Sequence, residues 1–266
     1  MGVINYERLR RDRFIYQTQF QNAKPFRWVM MDNFLPEEVA QAALDNFPPM
    51  ENMTIKYDNP HEYKATLSDL SKFPALKVVN DELNSQKFID FISEITGISD
   101  LIGDPENVGG GIHQSGKGSF LDIHADFNYH PTKKYHRRLN ILIYLNKGWE
   151  PNDGGDLELW DKEVTKCYAK ISPIFNRAVI FETTNEAMHG FDKVKTSRQT
   201  RKCFATYYYT KTRPEHEISE RHTSLFKLRP GQKKRFHLKT TIKEVLPASM
   251  IKILKKIKGT DEEDKE

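Results

Sequence analysis

Cysteine is nearly absent: Cys167 and Cys203 are the only two in 266 residues, with no CxxC pair and no dense spacing. That excludes a disulfide scaffold and a thiolate zinc site, and it fits a reducing compartment. No run approaches the roughly 18 apolar residues of a membrane span. The opening MGVINYERLRRDRF has no apolar core to serve as a signal peptide, so the cytoplasm is the expected compartment. Three catalytic motifs are also missing. Gly111 to Lys117 nearly spells a phosphate-binding loop, but Gly118 stands where a magnesium-binding Ser or Thr is needed. His216-Glu217 opens an HExxH-like string that ends on Glu220, which leaves that zinc site incomplete, and no GxSxG elbow occurs.

The formal charge of +4 conceals a basic tail on a near-neutral body. Lys227 to Lys258 carries eleven basic residues against one glutamate, and the last eight residues hold five acidic residues and one lysine. The body makes no strong case for nucleic acid; only residues 227–258 offer weak contact with an anionic membrane or polyanion. There, Met250, Ile251, Ile253, Leu254 and Ile257 alternate with lysines as in a basic amphipathic helix, which also reads as a solvated helix packed on the body.

What is present is a globular pattern, 38% hydrophobic and 11% aromatic, without internal repeats. A short helix over Tyr6 to Gln19 precedes a strand-like run, Phe26 to Met31, and a helix starting at Pro36, where Glu37-Glu38 suit the dipole. A second helical block spans Pro74 to Thr96. From Gly109 the texture becomes β, with candidate strands Phe120 to Ala125, Leu139 to Leu145, Leu157 to Trp160, Ala178 to Glu182 and Lys202 to Tyr209. Asn152-Asp153-Gly154-Gly155 reads as a hairpin connector between two of them. Helices followed by strands predict an α+β fold, a sheet or barrel backed by N-terminal helices.

In SFLDIHADFNYH, His124 and Asp126 lie two apart on a strand and face the same way, so they can share one metal. His189 follows downstream in a polar loop; it supplies a second imidazole, or it is a structural residue on a solvated turn. Two His and a carboxylate form a facial triad that leaves positions open on iron(II) for a co-substrate and dioxygen. Arg201 opens the apolar strand TRKCFATYYYT and requires an anionic partner, whereas Arg198 lies in a Ser/Thr/Gln-rich loop as a solvated neighbour. On RRLNILIYLN, Asn140, Leu142 and Tyr144 share a face, so an amide and a phenol can enter the same cavity; Tyr144 also reads as ordinary core. His113, Gln114, His130 and His136 flank the triad as substrate contacts or plain rim groups.

These segments, with the Trp149 to Trp160 hairpin and the PIFNRAVIF strand, appear in the order of the prolyl-4-hydroxylase-like 2-oxoglutarate and iron(II) oxygenases, which the chain resembles over about Phe26 to Pro214, most nearly the bacterial HADFN members. The resemblance implies a double-stranded β-helix and iron held by His124, Asp126 and His189. It also implies the far carboxylate of 2-oxoglutarate held by Arg201 and Tyr144, with Gln114 placed where related hydroxylases put a polar residue facing the co-substrate; Asn140, on the same strand face as Tyr144, is the further co-substrate contact expected from alternation. Cys203 departs from the Ser usual two residues after that Arg. The reaction implied is dioxygen-dependent hydroxylation of a peptidyl proline or a small molecule, releasing succinate and CO2, with ascorbate as an auxiliary reductant. The corresponding organisation is an extension 1–25, a domain 26–214 (helical support 26–105, β core 106–214) and a basic extension 215–266.

Overall fold

The computed structural model describes residues 2–233 and 235; the amphipathic segment expected over Met250 to Lys258 lies outside them. The elements, in chain order, are α1 (Tyr6–Arg11), α2 (Arg13–Asn22), β1 (Trp28–Met31), α3 (Glu37–Asp45), β2 (Ile55–Asp58), β3 (Glu62–Leu67), α4 (Pro74–Leu83), α5 (Gln86–Thr96), β4 (Gly111–Ser115), β5 (Phe120–Ala125), β6 (His136–Tyr144), β7 (Leu157–Trp160), β8 (Cys167–Ile171), β9 (Arg177–Glu182), β10 (Met188–Phe191), β11 (Arg201–Thr210) and β12 (Leu225–Lys227). The single helix expected at the N-terminus is two, divided at Asp12. The block from Pro74 is also two, because the Ser85 side chain accepts from the Phe88 amide at 3.2 Å and starts a new helix, which ends at Gly97 in the left-handed region.

The strands run β1-β9-β6-β11-β4-β3-β5-β10-β7-β8, with β2 on β3 and β12 on β5. This sheet doubles over to form a double-stranded β-helix. Alternation along β6 decides what faces where. Leu139, Ile141 and Ile143 join Ala178, Ile180, Phe204 and Tyr208 beneath α4 and α5 in the largest apolar core. The opposite face carries Asn140, Leu142 and Tyr144, and Tyr144 packs with Leu157, Leu159 and Ile171 from the other half of the fold. The space between the halves is where the site forms. Ile4, Tyr6, Leu9 and Phe20 are buried in the same large core, so residues 2–25 pack as part of the body rather than apart from it.

Asn152 to Gly155 is not a hairpin. β6 lies between β9 and β11, while β7 lies between β10 and β8, so this connector carries the chain from one half to the other. A 3-10 turn over Pro151–Asp153, closed by reciprocal capping between Glu150 and Asp153, precedes two glycines with φ of 72° and 71°. Turn chemistry specifies the local bend but not which strands it joins.

Candidate functional site

β5 and β10 run antiparallel with His124 opposite His189, which brings the rings to 4.5 Å between centroids. Asp126 follows directly after β5. Its carboxylate lies 3.5 Å from each imidazole Nε2, and the three donor groups fall within 4.8 Å of one another. Each imidazole is oriented by its own strand: His124 Nδ1 donates to the Asp122 carbonyl at 3.0 Å and His189 Nδ1 to the Ala187 carbonyl at 2.9 Å. A carbonyl only accepts, so Nδ1 holds the proton and Nε2 turns a lone pair inward. Burial pulls His189 down to about 4 against the attraction of Asp126, which leaves that ring neutral. Burial opposes ionisation of Asp126 as well, yet Arg137, followed by His189 and His124, holds the carboxyl well below its usual value. Two Nε2 atoms and an ionised carboxylate thus converge, an arrangement that a divalent cation satisfies.

Asn140 lines the cavity, but its amide is spent on Asp126: Nδ2 donates to Oδ2 at 2.6 Å while its Oδ1 accepts from Arg137 Nε and Nη2 at 2.9 and 2.7 Å. It orients the carboxylate rather than standing free for a co-substrate. Arg201, 4% exposed, lies across the cavity. Its Nε donates to the Gly155 carbonyl at 2.7 Å and its Nη2 to the Tyr144 hydroxyl at 3.3 Å, and the Phe191 ring lies 4.2 Å beneath the guanidinium. No carboxylate pairs with Arg201 among the described residues. Burial raises the Tyr144 phenol and lifts the Cys203 thiol to about 12, so both stay protonated beside that guanidinium.

Gln114 is not brought to the cavity. The pleat of β4 turns His113 and Ser115 inward, while Gln114 donates to Thr200 Oγ1 at 2.7 Å on the other side. His113 lines the site together with Ser115; burial, ahead of the charges of Lys64, Arg201 and Arg137, pushes its ring well below the ordinary imidazole range. Arg198 is more than a solvated neighbour. Half exposed, it bonds both oxygens of Asp153 at 2.9 and 2.7 Å and so braces the turn that delivers the Gly155 carbonyl to Arg201.

Two parts of the site escaped sequence reasoning. Arg137, the second residue of β6, reaches the cavity because the β6–β11 register shifts between Tyr208 and Tyr209, which breaks simple alternation. Like Arg201, Arg137 is a guanidinium near the start of a buried strand and requires an anionic partner. The other is the segment after Pro214. β12 pairs with β5, Phe226 opposite His124, and its ring stacks on His61 at 4.5 Å and lies 5.3 Å from His124. Beyond it, Gln232 (2.8 Å) and Arg235 bond the buried Asp122 carboxylate, and Arg229 joins Glu158 at 2.7 Å. No motif marks this strap.

Residues 110–209 match the model of the 2OG-Fe(II) oxygenase superfamily. A comparison with curated proteins by sequence finds no match. Among solved structures, the fold resembles a prolyl hydroxylase from Trichoplax adhaerens in complex with a hypoxia inducible factor peptide fragment (18% identity, TM-score 0.53, 77% of this chain and 91% of that one). It also resembles a Pseudomonas putida prolyl-4-hydroxylase (16%, 0.52, 74% and 99%). A third likeness is to a 2OG-Fe(II) oxygenase family protein from Burkholderia pseudomallei (16%, 0.50, 74% and 89%). At these identities the likeness establishes the fold.

Proposed function

We propose, for a chain whose residues 110–209 match the model of the 2OG-Fe(II) oxygenase superfamily, that it hydroxylates an unactivated C–H bond of a peptidyl proline or a small molecule, with His124, Asp126 and His189 holding the iron. The observation that carries this reading is the convergence of two inward-turned Nε2 lone pairs on one ionised carboxylate. When bound, iron(II) and 2-oxoglutarate supply the oxidising chemistry: dioxygen gives one atom to succinate as CO2 leaves and the other to the C–H bond. The chain's own residues do the rest. Asn140 and Arg137 hold Asp126 at Oδ2 and so fix the carboxylate beside the two imidazoles, where it would help hold the metal. Arg201, held at Nε by Gly155, keeps its remaining donors for the far carboxylate of 2-oxoglutarate, with the Tyr144 hydroxyl beside it. The apolar walls at Leu142, Leu157 and Phe181 keep the reacting centre dry.

The test is anaerobic addition of iron(II) and 2-oxoglutarate, followed by admission of oxygen and measurement of succinate. Wild type should develop a visible charge-transfer band and then form succinate, and His124→Ala should do neither. A wild type without the band, or a His124→Ala variant that keeps it, refutes the site.

A further inference from the structure

We propose that the fold carries a second ligand site apart from the triad cavity, an arginine-lined hollow at Arg138 that takes a phosphate group.

The β6–β11 ladder pairs Tyr208 with Leu139 and Tyr209 with Arg137, so Arg138 is an extra residue that the pairing passes over. A bulge of this kind re-aims the side chains around it, and here two consecutive guanidinium groups enter different spaces. Arg137 lines the triad cavity, whereas Arg138 lines a hollow of about 450 Å³ together with Arg27, Arg213, Ser99 and Thr212. The two spaces share no lining residue.

The three arginines of the hollow are unequally satisfied. Arg213 is fully committed: Nε donates to Glu217 Oε2 at 2.9 Å, Nη1 to the Arg137 carbonyl at 3.3 Å and Nη2 to the Thr183 carbonyl at 2.9 Å. Arg27 is paired with Glu182, its Nε and Nη2 lying 2.7 and 2.6 Å from Oε2. Arg138 is only 8% exposed, yet its one bond runs from Nη2 to Glu217 Oε2 at 3.5 Å, the oxygen that Arg213 already holds more closely. Its Nε and Nη1 have no partner among the described residues. Asp100, exposed at the same hollow, forms no ion pair with any of the three among the described residues. Burial, and after it the neighbouring Arg213, work against the Arg138 charge. A cation so enclosed and so short of acceptors is costly, and an anion in the hollow relieves it.

The directions of the unspent donors select among anions. Nε and Nη1 lie on different edges of the guanidinium, so filling both takes acceptors in two directions. A carboxylate offers two oxygens in one plane and fills one edge; a phosphate group offers three strong acceptors around a tetrahedron and reaches both. Ser99 and Thr212 add hydroxyls on the exposed side of the hollow for the remaining oxygen.

The experiment uses the full chain loaded anaerobically with stoichiometric iron(II) and saturating 2-oxoglutarate, so that the triad cavity is occupied. It is titrated calorimetrically, at constant ionic strength, with glycerol phosphate, inorganic phosphate, succinate and chloride. One phosphate site per chain is expected, with succinate at least about tenfold weaker and chloride without effect; the tighter of the two phosphates tells an esterified ligand from the free ion. Arg138→Gln should weaken phosphate by about tenfold or more, the worth of a charge-assisted hydrogen bond, while the charge-transfer band and the 2-oxoglutarate constant stay at wild-type values. Glu217→Gln keeps an acceptor for Arg213 but removes the competing charge, so it should tighten phosphate, a change of sign that damage to the fold does not produce. In wild type, phosphate should slow hydrogen exchange over residues 98–101 and 211–214. No saturable phosphate site, succinate bound as tightly, unchanged affinity in Arg138→Gln or weaker binding in Glu217→Gln overturns the proposal. So does phosphate that erases the band, since it then occupies the triad cavity. If Arg138→Gln does not fold, Glu217→Gln and the exchange pattern decide. A wild type without the band counts against the oxygenase reading alone, because the phosphate heats and the two variants are read independently of it.

Discussion

Replacing Arg201 by lysine tests the co-substrate half of the site most directly. The guanidinium does two jobs at once: Nε serves the Gly155 carbonyl at 2.7 Å, and the remaining edge, next to the Tyr144 hydroxyl, faces the cavity. One ammonium cannot reach both. Lysine therefore either abandons a buried carbonyl or gives up one arm of a bidentate grip on the carboxylate. Losing one charge-assisted hydrogen bond costs about 1.5–3 kcal/mol, which at 1.4 kcal/mol per decade weakens 2-oxoglutarate binding by about tenfold to a hundredfold. Anaerobic titration following the charge-transfer band reads this directly, and iron affinity measured without co-substrate should stay at the wild-type value. Arg198→Ala removes only a half-exposed brace on Asp153 and should shift the same constant by no more than ~threefold, in line with the small worth of exposed ion pairs. Wild-type affinity in Arg201→Lys, or a larger loss in Arg198→Ala, refutes the assignment.

Three further outcomes are expected. Asp126→Ala should abolish succinate formation while leaving residual iron on the two imidazoles, as metal analysis after gel filtration would report; full turnover would contradict the triad. The metal-free protein should lose stability in acid: His189 is held at about 4 against 6.5 when unfolded, so its contribution is complete above pH 6.5, falls as pH drops through that window and levels off below 4, a loss of about 3 kcal/mol visible in denaturant midpoints. Gly155→Ala places a side chain at φ 71° and 3.0 Å from Arg201 Cδ, so the melting temperature and 2-oxoglutarate affinity should fall together, by about 1–2 kcal/mol for the backbone alone.

The strand that carries His124 was legible because its alternation is clean, whereas His189, expected in a polar loop, lies on a strand of its own, β10. β5 was read with its observed ends, and the register of β10 on β5 supplies the partner that spacing alone could not. Gln114 shows the limit of that reading: counting ten residues back from His124 finds the strand but not its pleat, and a slip of one residue exchanges Gln114 for His113. Arg137 was hidden by a register shift between β6 and β11, in which Arg138 of β6 is passed over, an event of pairing that a single strand does not encode. The Asn152 to Gly155 bend was recognised, but its destination depends on contacts between halves of the chain. The strap after Pro214 carries neither a motif nor a dense apolar pattern, since its hold on the body is one short ladder and a few side chains gathered at Asp122.

That strap bears on the order in which the molecule is made. β5 gains its β12 neighbour from residues about a hundred positions later, and Asp122, whose carbonyl steadies His124, is bonded from as far away as Arg235. Contacts of such long range close late, because loop-closure entropy must be met before they contribute. The strand bearing the first imidazole is thus left with an open stretch of edge until residues 225–235 arrive, and metal binding of full strength should follow docking of that segment rather than precede it. Pulse-labelled hydrogen exchange during refolding would record the β5 amides that face β12 becoming protected after those of β6 and β11, and exposed edge strands of this kind are where nascent chains pair wrongly when their covering segment is lost.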